Sequence, residues 1–197
     1  MEYGRNVEHS LLLRFLPVAV IQFGMAGLGI LIVKQKNKES FQEYGLVLHN
    51  AIWSVLGCLI VSVPTIFSLY FTNDIHGFLP FQGMFLTKSI LHASIPWNIL
   101  GYLLIATIWG FLEGINYVII AKKVNIRFPC KSKWLNYGAL LCAIICILIH
   151  GMFRFDVQGI IEILVTFILV YGMIIVEEKA NNAWGCIAIF FVIWNAL

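Results

Sequence analysis

Charged side chains are scarce in this chain of 197 residues. Only 12% of the residues are Asp, Glu, Lys or Arg, which is half of the roughly 25% typical of a soluble domain. Apolar residues make up 60% of the chain, and the mean hydropathy is +0.89. This balance excludes a soluble enzyme and a disordered chain. We predict an all-α fold, a polytopic bundle of transmembrane helices in contact with the lipid bilayer.

Basic residues are too few for a nucleic-acid surface. The chain has 13 Lys and Arg and a formal net charge of +3, whereas nucleic-acid-binding domains carry dense basic patches. We therefore predict no nucleic-acid partner. In a membrane protein, Lys and Arg mostly report topology.

The cysteines lack the C-x-x-C spacing of a zinc site. Cys142 and Cys146 lie one helical turn apart, and Cys130 falls in a basic stretch. We interpret the cysteines as free thiols, mostly buried as small hydrophobic side chains. No metal site is predicted, and any cofactor is unknown from the sequence. The five are Cys58, Cys130, Cys142, Cys146 and Cys186.

Long apolar runs indicate about six spans, since a spanning helix needs about 20 apolar residues. The first run is longer than the roughly 7–15 apolar residues of a signal peptide, so we expect it to be retained. The last run is short for a span. Between the second and third runs, residues 72–97 mix charged residues and prolines with apolar ones, which is typical of an interfacial or re-entrant helix. The six runs are 11–33, 45–71, 95–121, 135–153, 158–176 and 184–197.

The distribution of basic residues favours six spans with both termini outside. A seventh span at 76–94 would divide the basic loops between the two sides. We therefore predict a multi-pass protein of the cell membrane. The cytosolic group is Lys34, Lys36, Lys38, Lys122, Lys123, Arg127, Lys131, Lys133 and Lys179, against Arg5, Lys88 and Arg154 opposite.

Glu113 is the clearest ionisable residue at membrane depth. An ionisable group in hydrocarbon is costly and is a functional candidate by default. Asn116 and Tyr117 follow at spacings that share its helix face, so they are candidate supporting residues. The alternative is a protonated carboxyl that bonds across helices for structural reasons.

Three further polar residues lie in the later apolar runs. His150 and Asn195 each have a simpler interpretation as an interhelical hydrogen-bonding residue. Glu162 could form an ion pair with Arg154. If Glu113, His150 and Asn195 converge, a carboxylate that activates water would lie beside two groups able to bind an oxyanion.

The order of these motifs resembles the CPBP family of intramembrane proteases (CAAX-processing and bacteriocin-processing enzymes, Abi type). That family carries E-E-x-x-x-R, then F-x-x-x-H, then H-x-x-x-N behind a turn similar to E-K-T-G-N-L-W. Here residues 110–118 read G-F-L-E-G-I-N-Y-V, residues 146–150 read C-I-L-I-H, residues 177–184 read E-E-K-A-N-N-A-W and residues 191–195 read F-V-I-W-N. The likeness covers roughly residues 100–197. It implies a CPBP-like core at 100–197 and an N-terminal part at 1–99, with Glu113, His150 and Asn195 as the catalytic residues.

Three of the six polar positions of the family motif are replaced in this chain. The second Glu is Gly114, the Arg is Val118, and the third-motif His is Phe191. Loss of members of a catalytic unit typically costs orders of magnitude in rate. The replacements favour a pseudoenzyme over an intact protease.

Three functional hypotheses follow from these residues. The first is a CPBP-like membrane protein with lost or reduced proteolysis, which binds a peptide, lipid or membrane-protein partner in the cavity. The second is an active endopeptidase in which Glu113 activates water, His150 and Asn195 stabilise the oxyanion, and Glu162 or Tyr117 substitutes for a missing group. The third is an accidental likeness in a transporter subunit or membrane scaffold.

Overall fold

The computed structural model describes residues 10–75, 77–130 and 135–197, and within these ranges it contains helices and no strand. The predicted all-α fold is therefore confirmed. The predicted loop residues Arg5, Lys131 and Lys133, together with His76, lie outside the described residues. The helices are α1 (Leu11–Ala26), α2 (Leu28–Asn37), α3 (Ala51–Phe71), α4 (Thr87–Leu91), α5 (Trp97–Ile105), α6 (Glu113–Arg127), α7 (Tyr137–Ile149), α8 (Val157–Ala180) and α9 (Trp184–Ile189), with π-helical segments π1 (Ala106–Leu112) and π2 (Phe190–Trp194).

Among the described residues, four helical units are long and apolar enough to cross a membrane, by length and composition: Leu11–Asn37, Ala51–Phe71, Trp97–Arg127 and Val157–Ala180. Two apolar helices, Tyr137–Ile149 and Trp184–Trp194, are shorter. The lengths and apolar composition of these helices indicate a membrane protein. The count of six spans and their orientation remain predictions.

The basic loop that we expect on the cytosolic side is shorter than the sequence indicates. Lys122, Lys123 and Arg127 belong to α6, whereas the predicted run 95–121 ends before them. Lys122 Nζ lies 3.0 Å from Oε1 of Glu177 on α8, and Lys123 forms an ion pair with Glu39. These pairs bring the ammonium groups to the end of the bundle, so the helix continues without exposing them to hydrocarbon.

Residues 72–97 form mostly turns rather than the expected interfacial or re-entrant helix. The helix α4 has only 5 residues. The segment folds back onto the chain end: the Leu79 amide donates to Ala196 O (3.2 Å) and the Gly83 amide to Asn195 O (3.3 Å). Phe81 and Leu86 are buried. Through these contacts, residues 79–86 pack against the C-terminal end of the last helix.

The last apolar segment occupies the interior of the bundle. α9 packs against α3, α6 and α8, and π2 packs against π1. Gly185, Cys186, Ile189 and Phe190 are buried. Because other helices surround this segment, its short length needs no match to the thickness of a bilayer.

The two π segments end at two of the predicted site residues. Glu113 follows π1 directly, and Asn195 follows π2. A π turn carries an extra residue and releases backbone groups from the regular helical pattern, which is frequent at functional sites. The facing π segments therefore position the polar residues of the centre.

Candidate functional site

Two neighbouring cavities meet at Glu113 and His150. The first, about 370 Å³, lies between α1, α6 and α7, and its walls are mostly apolar. The second, about 440 Å³, extends to Asn195 and to Gly83 in the segment 79–86. Glu113 and His150 line both cavities. The structure thus brings all three candidate catalytic residues, Glu113, His150 and Asn195, to one cavity.

Glu113 is 7% exposed and is bound by a residue of the first helix. Gln22 Nε2 donates to Glu113 Oε2 at 3.3 Å. Gly27 places α1 close enough for this bond, because a Cβ there would lie 2.7 Å from Cδ1 of Leu112 on π1. The other carboxylate oxygen makes no hydrogen bond to a described residue, which leaves it available to a ligand.

His150 lies at the C-terminal end of α7, beside Trp194. The two ring centroids are 5.0 Å apart and the planes are inclined by 66°. His150 is the C-cap residue, and its amide donates to Cys146 O. This edge contact holds the imidazole at the rim where the two cavities meet.

The side-chain amide of Asn195 is committed to the backbone. Asn195 Nδ2 donates to Trp109 O and to Phe190 O, each at 3.2 Å. An amide NH2 has two hydrogens, so both are used. A flipped amide would place its oxygen against two carbonyl oxygens, which fixes the assignment. Asn195 therefore ties π2 to π1 and presents no free N–H to a ligand.

The two supporting residues of α6 line the first cavity with Glu113. Tyr117 is buried, and its ring stacks on Phe190 with centroids 5.6 Å apart. Asn116 is half-buried. The expected shared face of Glu113, Asn116 and Tyr117 is present in the structure.

Glu162 lies in a different cavity, between α3 and α8. It does not line either cavity at Glu113. The ion pair of Arg154 is with Asp156, at 2.6 Å between Nη2 and Oδ2, rather than with Glu162 as the simpler interpretation expects. Both partners are largely exposed, and the bond from Arg154 is the main cause that lowers the pKa of Asp156.

The three positions at which the chain departs from the CPBP motif are packed in the interior. A Cβ on Gly114 would lie 2.7 Å from Ile187 Cα, so α6 and α9 cross too closely for a carboxylate there. Val118 is fully buried. Phe191 lies against Gly110 and forms an edge contact with Phe81 at 5.0 Å between centroids. None of the three side chains lines the cavities at Glu113.

The turn at 177–184, which carries the most specific part of the family likeness, is structural in this chain. Asn182 is fully buried, and its Nδ2 donates to Val47 O and His49 O, both at 2.7 Å. Its Oδ1 accepts from the Trp184 amide. The turn therefore anchors the segment before α3 and starts α9.

Glu177 and Glu39 form the ion pairs at this end of the bundle. Glu177 is 2% exposed, and its contact with Lys122 is a close charge pair rather than an aligned hydrogen bond. Glu39 lies outside the helices and accepts from Lys123 and from Tyr44. The bond from Lys123 is the main cause that lowers the pKa of Glu39 from 4.5 to about 2.

Sequence reasoning missed Gln22, Trp109 and Trp194. Gln22 carried a usable signal, because it is a polar residue deep in an apolar run. Trp109 contributes through its backbone carbonyl, which accepts from Asn195, and no pattern of side chains reveals such a backbone contact. Within the described ranges, no group of three His, Cys, Asp or Glu is arranged to hold a metal ion.

Comparison of the chain with protein-family models, curated proteins and solved structures finds no match.

Proposed function

We propose that this chain is a CPBP-like protein of the cell membrane, with lost or reduced proteolysis, that binds an amphipathic lipid or peptide in the cavities at Glu113. The observation that carries the proposal is the junction of a mostly apolar cavity and a polar one at Glu113 and His150. An amphipathic molecule would place its apolar part between α1 and α7 and its polar end at the free oxygen of Glu113.

The polar groups of the junction support binding more than hydrolysis. Asn195 has both N–H groups engaged with carbonyls, so an oxyanion would lack that donor. The places of the second Glu and the Arg are taken by Gly114 and Val118, which pack in the interior. Glu113 is thus left with Gln22 as its bonded partner. A binding site needs no further group, whereas an efficient hydrolytic site does.

Photolabelling tests the binding proposal. The purified protein is reconstituted with a diazirine-bearing phospholipid or a diazirine-bearing apolar peptide, and adducts are mapped by mass spectrometry. We expect adducts on α1, α6 and α7 at residues that line the first cavity. Glu113→Gln, which retains a polar end group, should preserve most of the labelling.

Neighbouring residues of α7 provide a matched pair of variants. Ile145 lines the first cavity, while Ile144 is 42% exposed on the outer surface. Ile145→Trp should fill the cavity and suppress the adducts, and Ile144→Trp should not. Equal labelling in the two variants, or label spread evenly over the outer helix faces, would contradict a cavity site.

An active endopeptidase is the second candidate, and it is favoured by the shared placement of Glu113 and His150 in both cavities. In that case Glu113 would activate water. Cleavage of a prenylated or leader peptide by the parent protein and not by E113Q would establish this candidate and overturn the first.

A further inference from the structure

A second polar cavity opens between α3 and α8, away from Glu113. This cavity of about 410 Å³, the polar cleft, lies between the C-terminal half of α3 and the first turns of α8. Of its lining residues, only Trp194 also lines a cavity at Glu113. The polar cleft therefore shares one wall residue with the cavities at Glu113 and is otherwise distinct from them.

Two facing stripes of polar side chains build the polar cleft. Thr65, Ser68 and Thr72 recur at near-helical spacing along α3 and its C-cap, and Glu162 and Thr166 recur along α8. Residues at these spacings lie on one face of a helix. Thr65 Oγ1 donates across the cleft to Val165 O at 3.4 Å, which fixes the two stripes opposite each other.

Thr166 is a largely buried residue whose hydroxyl group is available to the polar cleft. It is 3% exposed and lines the polar cleft. Its hydroxyl makes no hydrogen bond to a described residue, whereas those of Thr65 and Thr72 bond to carbonyls. Because Thr166 lines the cleft, its hydroxyl group can form a hydrogen bond to a polar atom of a ligand there.

The charges of the polar cleft are of both signs. Glu162 and Asp74 line it and are exposed. They form no ion pair with a described residue, although the charge of Glu162 contributes to raising the pKa of Arg154. Arg154 lies at the rim, where one of its nitrogens is bound to Asp156; four of its five N–H donors remain. A ligand with a cationic end for Glu162 and an anionic group for Arg154 complements this arrangement.

The depth of the polar cleft matches a lipid headgroup. Glu162 lies about 7.5 Å and Thr166 about 13.5 Å along α8 from its first residue, at 1.5 Å per residue. With the first turn of α8 at the membrane interface, this range would reach from the headgroup region into the outermost hydrocarbon. The adjoining helix surfaces carry exposed apolar side chains, among them Phe67 at 57% and Leu164 at 55%, against which acyl chains can lie.

We propose that the polar cleft binds the headgroup of a phospholipid that carries a primary ammonium, of the phosphatidylethanolamine type. The ammonium donates hydrogen bonds to Glu162 and to the hydroxyl oxygen of Thr166, and the phosphate lies at Arg154. A primary ammonium has three N–H donors, while the quaternary ammonium of phosphatidylcholine has none. The cleft therefore discriminates by hydrogen bonding as well as by charge.

Native mass spectrometry of the delipidated full chain in detergent tests this proposal, with phosphatidylethanolamine, phosphatidylcholine and phosphatidylglycerol of identical acyl chains as probes. We expect the first to bind at least about fivefold more tightly than the other two, the change in affinity that about 1 kcal/mol produces. E162Q and T166V should remove this preference. Equal binding of the three lipids, or a preference unchanged in both variants, would overturn the proposal.

Two controls make the result specific. Thr107 is an exposed Thr of π1 outside the cleft, and T107V should keep the preference; its loss in this variant would contradict the assignment to the cleft. T166V is nearly isosteric, so an unchanged elution volume shows that it folds. Glycerophosphoethanolamine, the free headgroup, should not displace the lipid, and displacement at equal concentration would overturn the assignment to a lipid.

Discussion

Gln22 on α1 donates a hydrogen bond to Glu113 on α6, with 3.3 Å between Nε2 and Oε2. The two residues are 91 positions apart in the chain and both line the junction of the two cavities. The first helix therefore takes part in the site, although the family likeness begins near residue 100. The bond joins the N-terminal part of the chain to the predicted core.

A double-mutant cycle measures this bond. We expect a coupling free energy of about 0.6 kcal/mol between Gln22→Met and Glu113→Leu, the average for interhelical hydrogen bonds in membranes. The measurement is the unfolding free energy of the parent, the two single variants and the double variant in detergent. Strict additivity would mean that the bond contributes nothing to stability.

Gly114 should be intolerant of a side chain. Ala at this position would press its Cβ against Ile187 Cα, and overpacking of this kind typically costs about 1–3 kcal/mol. Gly24 on α1 is the matched control, because its Cβ position has no atom within 4 Å. Thermal unfolding should show a lower Tm for Gly114→Ala and an unchanged or higher Tm for Gly24→Ala. An unchanged Tm of Gly114→Ala would contradict the close approach of α6 and α9 at this position.

Asn182 should be a major determinant of stability. Asn182→Ala removes three hydrogen bonds of a fully buried side chain, and the loss should reach about 3 kcal/mol because the carbonyls and the amide of Trp184 lose their partner. Asn181 is exposed and has φ 47°, so Asn181→Gly should change stability by less than about 0.5 kcal/mol. Chemical unfolding in detergent compares them, and similar losses would exclude the anchoring role of Asn182.

The ion pair of Glu39 and Lys123 predicts a pH dependence at acid pH. The pKa of Glu39 is lowered from 4.5 to about 2, mainly by the bond from Lys123. The stabilisation is therefore fully present above pH 4.5 and is lost as the pH falls through about 2. The Tm difference between the parent and Glu39→Gln should shrink across this interval. A difference that is constant from pH 6 to pH 2, or a pH dependence that is equally large in a Lys123→Met background, would contradict the assignment.

Hydropathy predicted the helical class and the approximate positions of the helices, because long apolar runs without charge fold as helices in lipid. Hydropathy misplaced the helix ends that are determined by tertiary contacts. The second run includes residues 45–50, yet α3 begins at Ala51, since Asn182 binds the carbonyls of Val47 and His49. The end of α6 was misplaced for the same kind of reason, the ion pairs of Lys122 and Lys123.

The candidate site was predicted in part. Polar residues at membrane depth identified Glu113, His150 and Asn195, and all three line one cavity. Glu162 was selected by the same rule but faces α3, because a polar residue in a helix does not reveal which neighbour it meets. Asn195 donates to two carbonyl groups of the π segments. The side-chain pattern of the sequence does not indicate where these π segments lie.

The most direct test of the central claim is mass spectrometry of peptides incubated with the purified protein. Prenylated and leader peptides are incubated with the parent protein and with Glu113→Gln in detergent and in vesicles. A binding cavity that has lost efficient hydrolysis predicts identical, uncleaved peptides in both samples, while the photolabel still reaches the residues around Glu113. A cleavage product formed by the parent protein and absent with Glu113→Gln would contradict the account.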